Sequence, residues 1–177
     1  MSNFKEDLRK VKAFAFDVDG VFTDSKVYTM ADGEQVRAMN TRDGFAIRFA
    51  QKMGYPIAII SAGSSNAGVV KRLEFLGLKD LYMGTFKKTE AIIDFSKKHS
   101  VDLDNILYMG DDIPDYPVLK IVGVSTCPGD AAVEIKQVAK YISNYDGGRG
   151  CVRDVIEQVL RAQGNWVNLD VEKPDIL

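Results

Sequence analysis

Residues 10–24, KVKAFAFDVDGVFTD, decide how the rest of the chain reads. Val11, Ala13, Phe14, Ala15 and Phe16 make an apolar run of strand length, without the alternation of a half-solvated strand. The run stops at Asp17, Asp19 and Gly20. A buried strand that ends in two carboxylates and a glycine is how an open α/β sheet presents chemistry at its carboxyl edge. Gly20 permits a sharp turn that a Cβ would resist. Carboxylates this close repel each other unless a proton or a cation lies between them, so a hard metal ion is their natural companion. A solvated turn after a strand is the plain alternative, and the remainder of the chain bears on the choice.

Working outward, residues 22–40 set Val27, Tyr28 and Met30 against Val36, Ala38 and Met39 across Ala31-Asp32-Gly33-Glu34, a hairpin signal. Such a hairpin would stand over the acidic loop as a flap. Thr41 is the expected N-cap of a helix running to Met53 and ended by Gly54. Residues 56–60 read as a second buried strand, entering the hydroxyl-rich loop Ser61-Ala62-Gly63-Ser64-Ser65. A helix over 67–76, a strand over 81–83 and a helix over 85–99 follow, the last opening with Lys87 and Lys88. The strand over 106–109 runs into Gly110-Asp111-Asp112-Ile113-Pro114-Asp115. A short helix to Ile121, a strand over 123–126, a helix over 131–139, an extended piece over 141–143 and a helix over 151–163 complete the pattern. Strands alternating with helices at this spacing predict a Rossmann-like parallel sheet flanked by helices, with right-handed crossovers. No internal repeat or boundary divides residues 1–177, so one domain is expected, with a weakly periodic tail over 164–177 that a partner orders.

Composition narrows the chemistry. With 177 residues and net charge −2 the chain is long enough for a sizeable core and carries no basic excess for nucleic acid. No apolar run reaches the roughly 18 residues that span a bilayer, and the charged start MSNFKEDLRK predicts no secretory leader. Cys127 and Cys151 are too few for a disulfide framework, which suits a reducing cytoplasm. His99, the single histidine, argues against multi-histidine metal sites and a Ser-His-Asp mechanism. Neither cysteine begins the Cys-x5-Arg loop of a cysteine phosphatase. What remains is carboxylate and lysine chemistry.

In such a sheet the loops at neighbouring carboxyl ends converge on one crevice. Here they offer Asp17 and Asp19, then Ser61, then the lysine pair, then Asp111, Asp112 and Asp115. Three acidic ligands with a lysine and a hydroxyl suit a phosphoryl group held by Mg²⁺, which takes one or two carboxylates and keeps other positions for water or phosphate oxygens. A positioned Asp then attacks phosphorus in line, while lysine and Ser61 meet the oxygens on which charge accumulates.

Asp17-Val18-Asp19-Gly20-Val21, Ser61, Lys88 and Gly110-Asp111-Asp112-x-x-Asp115, in this order, resemble the four motifs of the haloacid dehalogenase superfamily of phosphatases. The hairpin after Asp19, Arg42-Asp43-Gly44, Arg72 before Leu76-Gly77, and Gly147-Gly148-Arg149-Gly150 are similar to its small capless subclass and, within that, to the 3-deoxy-D-manno-octulosonate 8-phosphate phosphatases. The resemblance implies Asp17 as nucleophile, Asp19 as acid and base, and Ser61 and Lys88 as phosphoryl ligands. It implies Mg²⁺ held by Asp17, the backbone carbonyl of Asp19, and Asp111, with Asp112 and Asp115 behind them. Asp43, Gly44, Arg72 and Arg149 are the implied substrate-binding residues. Two departures stand out: Ser61-Ala62 replaces the usual Thr-Gly, and Gly63-Ser64-Ser65 lacks the basic residue that helps select the sugar acid.

The resemblance further implies a homotetramer in which hairpins meet and a neighbour's C-terminal segment closes the site. Water exclusion and the apolar hairpin favour the same arrangement on physical grounds. The expected activity is Mg²⁺-dependent hydrolysis of the octulosonate 8-phosphate for lipopolysaccharide synthesis in the cytoplasm. Its rivals are a nonulosonate 9-phosphate phosphatase, a phospho-accepting signalling domain, and a non-catalytic assembly domain. Asp19 speaks against the second rival, since a receiver needs no acid two residues beyond its phosphorylated Asp.

Overall fold

The computed structural model describes residues 4–63 and 67–167. A one-turn helix α1 (Phe4–Leu8) leads into β1 (Ala13–Phe16), and a hairpin of β2 (Tyr28–Thr29) and β3 (Gln35–Val36) follows. Then come α2 (Thr41–Lys52), β4 (Ile57–Ser61), α3 (Ala67–Phe75), β5 (Asp80–Met83), α4 (Lys88–His99) and β6 (Ile106–Met109). The chain continues through α5 (Tyr116–Leu119), β7 (Val124–Cys127), α6 (Val133–Val138), β8 (Tyr141–Ile142) and α7 (Cys151–Ala162). The main sheet is six-stranded, in the order β5-β4-β1-β6-β7-β8, and every pairing is parallel. The expected Rossmann-like sheet is therefore present.

β1 lies inside the sheet, with Phe16 opposite Ile59 of β4 on one side and Met109 of β6 on the other. The register brings the acidic loop after β1 beside Ser61 and the Gly110–Asp111 turn. Side chains alternate across a strand, which divides β1 between two cores. Phe14 and Phe16 face a cluster with Ile47 of α2 and Val155 and Ile156 of α7, whereas Ala13 and Ala15 face Ile92 and Phe95 of α4. Each buried Phe contributes roughly 1.5–3 kcal/mol. The small alanines allow α4 to settle closely on the opposite face. That approach matters, because Lys88 is the first residue of α4.

Several local expectations shift. The cap of α2 is Asn40, whose Oδ1 accepts from the Arg42 N–H at 2.9 Å, and Thr41 is the first helical residue. An amide oxygen one position earlier reaches that orphan donor first. The hairpin has the expected strands but a ladder of only two residue pairs, Tyr28 with Val36 and Thr29 with Gln35. Helix α4 begins at Lys88 rather than residue 85, with Lys87 at the cap position. Of the tail, residues 164–167 are described, and the expected partner-ordered segment over 168–177 lies outside the described residues. Trp166 packs within its own chain, edge-on to Phe45 and Phe49, with the Arg153 and Arg161 guanidinium groups 5.7 and 5.8 Å from its ring.

Candidate active site

The carboxyl ends of β1, β4 and β6 and the start of α4 enclose a cavity of about 260 Å³ lined by Asp17, Asp19, Ser61, Lys88, Asp111 and Asp115, among others. Its centre is a buried ion cluster. Lys88 Nζ donates to Asp17 Oδ2 at 2.6 Å and to Asp115 Oδ1 at 2.7 Å, and its side chain is 2% exposed. Burial pushes the Lys88 ammonium down, but Asp17 and Asp115 outweigh it and hold the lysine above its ordinary value. The lysine is thus a fixed positive charge beside Asp17.

Asp115 is saturated. Its Oδ1 accepts from Lys88 and from the Tyr108 hydroxyl at 2.5 Å, and its Oδ2 accepts from the backbone N–H groups of Asp111 at 3.1 Å and Asp112 at 3.4 Å. It therefore shapes the loop and orients Lys88. The Asp111 carboxylate, by contrast, receives no hydrogen bond from the described residues. Burial, followed by the charges of Asp17 and Asp115, pushes Asp111 up to about 8. Burial and then Asp115 push Asp17 to about 7, against the lowering effect of Lys88.

One oxygen from each of Asp17, Asp111 and Asp115 lies within 4.8 Å of the others. This all-oxygen set fits a hard divalent cation, which would remove the repulsion that raises both acids. With Asp115 already occupied by four donors, Asp17 and Asp111 are the carboxylates left to hold it. The Asp19 side chain lines the cavity but is held at the hairpin side of it: Arg37 grips it through Nε to Oδ1 at 2.7 Å and Nη2 to Oδ2 at 3.2 Å. That leaves the Asp19 contribution to a metal with its backbone carbonyl, as the resemblance implies.

Glycines make the tight approach possible. Gly20 has φ +78°, and a Cβ there would fall 1.8 Å from Asp111 Oδ2. A Cβ on Gly147 would fall 2.1 Å from the Gly20 carbonyl oxygen, and the Gly148 N–H donates to the Val21 carbonyl at 2.9 Å. The glycine-rich loop before α7 is a backbone buttress beneath the acidic turn.

Residues 75–154 match the family of haloacid dehalogenase-like hydrolases. The chain is 37% identical over 154 residues to the 3-deoxy-D-manno-octulosonate 8-phosphate phosphatase KdsC of Escherichia coli, covering 87% of this chain and 81% of that one. The chain belongs to the KdsC family of haloacid dehalogenase-like hydrolases. Among solved KdsC-type structures, the Moraxella catarrhalis phosphatase in complex with magnesium, phosphate and KDO superposes with TM-score 0.88 at 31% identity, over 92% of each chain. The cobalt-bound Haemophilus influenzae phosphatase superposes with TM-score 0.85 at 30% identity, over 89% of this chain and 88% of that one.

Within this KdsC-type fold, Asp17, Asp19, Ser61, Lys88 and Asp111 share one cavity, as their positions at strand ends led one to expect. The other candidates lie apart. Asp43 is fully buried and its Oδ1 accepts from the Arg153 N–H at 2.8 Å, capping α7, so a substrate has no access to it. The turn Arg42-Asp43-Gly44 opens α2, and the tight packing of α2 on α7 carries Asp43 inward. Gly44 lies under Arg72, whose Nη2 would meet an added Cβ at 3.0 Å, so Gly44 is a packing position. Arg72 lines a groove beside the hairpin, and Arg149 lines a separate cleft with Arg42 and Arg153. Ser64 and Ser65 lie outside the described residues.

Sequence reasoning did not single out Arg37 or Tyr108. A tyrosine in a fully buried strand must satisfy its hydroxyl, which was a readable signal for Tyr108. A single arginine in an apolar hairpin was the corresponding signal for Arg37.

Proposed function

We propose that this KdsC family member hydrolyses 3-deoxy-D-manno-octulosonate 8-phosphate to the free sugar acid and phosphate, in a Mg²⁺-dependent reaction. The observation that carries this reading is the buried Lys88 bridging Asp17 and Asp115 in a cavity sized for a phosphoryl group. The printed activity of its relatives supplies the substrate.

Asp17, as its carboxylate, attacks phosphorus to form an aspartyl phosphate. Asp19, two residues on in the same turn, is a carboxylate in its pair with Arg37; protonated in the loaded site, it gives that proton to the departing sugar oxygen as the ester P–O bond breaks. Asp19 then takes a proton from the water that attacks phosphorus, releasing phosphate and restoring Asp17. Lys88 and the Ser61 hydroxyl hydrogen-bond the phosphoryl oxygens through both steps. Mg²⁺, when bound by Asp17, Asp111 and the Asp19 carbonyl, neutralises charge on the phosphoryl group. A cytoplasmic place in lipopolysaccharide synthesis accompanies this reading, and the free, buried Cys127 and Cys151 suit it.

We further infer a homotetramer. The exposed hairpin residues Val27, Tyr28, Met30 and Val36 support it, since a two-residue ladder does not stabilise an apolar hairpin in water. A solution mass by light scattering equal to one chain would remove this part. For the reaction, phosphate release is measured from the eight-carbon keto-acid phosphate and a nine-carbon nonulosonate 9-phosphate, with Mg²⁺ and with chelator. Metal-dependent preference for the eight-carbon compound is expected. Preference for the nine-carbon one reassigns the substrate, and release that survives chelation refutes the mechanism.

A further inference from the structure

Arg37 ties the hairpin to the catalytic turn. The Arg37 side chain is 7% exposed and holds Asp19 in a two-point ion pair through Nε and Nη2. Its third nitrogen, Nη1, is buried with no hydrogen-bond partner among the described residues. A buried guanidinium N–H without an acceptor is unfavourable and uncommon, and at a functional site it marks where a ligand atom belongs. Arginine is suited to the task, because its planar fork spends two donors on one carboxylate and presents the rest in a fixed direction.

Arg37 also lines the groove that runs under the hairpin beside the catalytic cavity, together with Arg72, Thr41 and Glu34. Arg72 forms no ion pair among the described residues and rests its guanidinium over Phe75 at 5.6 Å. Arg37 is paired with Asp19, so Arg72 is the groove's other cation, beside Glu34, and the Asp19–Arg37 pair is where groove and catalytic cavity meet. The groove wall at Glu34, Gln35 and Val36 is exposed, and Gln35 and Val36 belong to the two-residue ladder.

We propose that Arg37 is a substrate-binding residue whose Nη1 hydrogen-bonds the carboxylate end of the sugar-acid substrate in the Arg72-lined groove, while its other two nitrogens hold Asp19 in place. This rests on the sugar-acid phosphatase reading above. A substrate with phosphate at one end and carboxylate at the other matches a site with a phosphoryl cavity and an arginine-lined groove joined at one ion pair. Arg37 then couples the two: the carboxylate that fills the groove also completes the group that aims the proton donor.

The test uses the full chain with Mg²⁺ and a small aryl phosphate as reporter substrate. Inhibition of its hydrolysis by the free eight-carbon sugar acid, and separately by inorganic phosphate, is compared among wild type, Arg37→Gln and Arg37→Lys. Arg37→Gln is expected to raise the inhibition constant of the sugar acid about 10- to 100-fold, as for loss of a charge-assisted hydrogen bond, with Arg37→Lys intermediate. The inhibition constant of inorganic phosphate should stay within about twofold, which reports that the phosphoryl end of the cavity, at Lys88 and Ser61, still binds. A sugar-acid constant that does not change, or that changes in step with that of phosphate, overturns the proposal. Absence of sugar-acid inhibition in wild type overturns it too. The sugar-phosphatase reading fails by a different result, no phosphate release from the eight-carbon phosphate by wild type, so the two failures are distinguishable.

Discussion

Asp43 illustrates how a side chain suited to one task is used for another. Its carboxylate caps α7 through the Arg153 N–H, and its Oδ2 is buried with no partner among the described residues. Burial pushes it up to about 6 from an ordinary 3.8, although the Arg153 hydrogen bond and charge pull the other way. The folded chain therefore binds this proton more tightly than the unfolded chain. Its stabilising contribution is whole below pH 4, falls as pH rises through 6, and levels off above about 7, a loss of about 3 kcal/mol at most. Asn in its place still caps the helix and has no charge to desolvate. Asp43→Asn should therefore gain on wild type in melting temperature between pH 4 and 7, and hold that gain above. Parallel curves for the two proteins would show that Asp43 is ionised throughout.

Among the elements, the loop before α7 and the turn after β1 form a unit. Gly147 and Gly148 lie directly on the backbone of Gly20, Val21 and Thr23, and Cys151 Sγ donates to the Val21 carbonyl at 3.2 Å. Thr23 in turn braces the turn from within, accepting from the Gly20 N–H at 3.3 Å and donating to Asp19 Oδ1 at 3.4 Å. Gly147 is thus needed for closeness of approach, and Gly148, at φ +67°, for conformation as well. Gly147→Ala has to push the acidic turn away, at a cost of about 1–3 kcal/mol. Its urea midpoint should fall, and its kcat should fall beyond any change in folded fraction, because Asp17 and Asp19 ride on the displaced turn. An altered midpoint with kcat intact would mean that the loop supports the fold and not the site.

At the scale of the whole molecule, the acidic centre sets function against stability. Asp17 and Asp111 stand at about 7 and about 8 because burial, and then the neighbouring carboxylates (Asp115 for Asp17; Asp17 and Asp115 for Asp111), favour their protonated forms. Metal-free protein therefore loses stability as pH rises from the unfolded carboxylate range through those values. A cation that replaces those protons binds better as they leave, so its stabilising effect grows with pH. The rise in melting temperature at a fixed Mg²⁺ concentration should be larger at pH 8.5 than at pH 6. Equal rises at both would mean that the cation displaces no protons there and binds somewhere else.

Much of this was legible in the chain. The apolar run before Asp17 and the strands at 57–61 and 106–109 are local patterns, and their ends determine which residues reach the carboxyl edge of a parallel sheet. Asp17, Asp19, Ser61 and Asp111 follow from that by their places at strand ends, whereas the choice of Lys88 over Lys87 came from the family resemblance. What the tertiary structure decided was which donor each buried acid took. Asp43 found an N–H 110 residues away, Asp19 an arginine 18 residues on, Asp115 a tyrosine from the strand beneath it, and Trp166 the aromatic face of α2. Periodicity reports which face of an element is apolar. It does not encode which polar groups lose water together, and in a packed interior a carboxylate pairs with whichever donor the neighbouring element brings within reach.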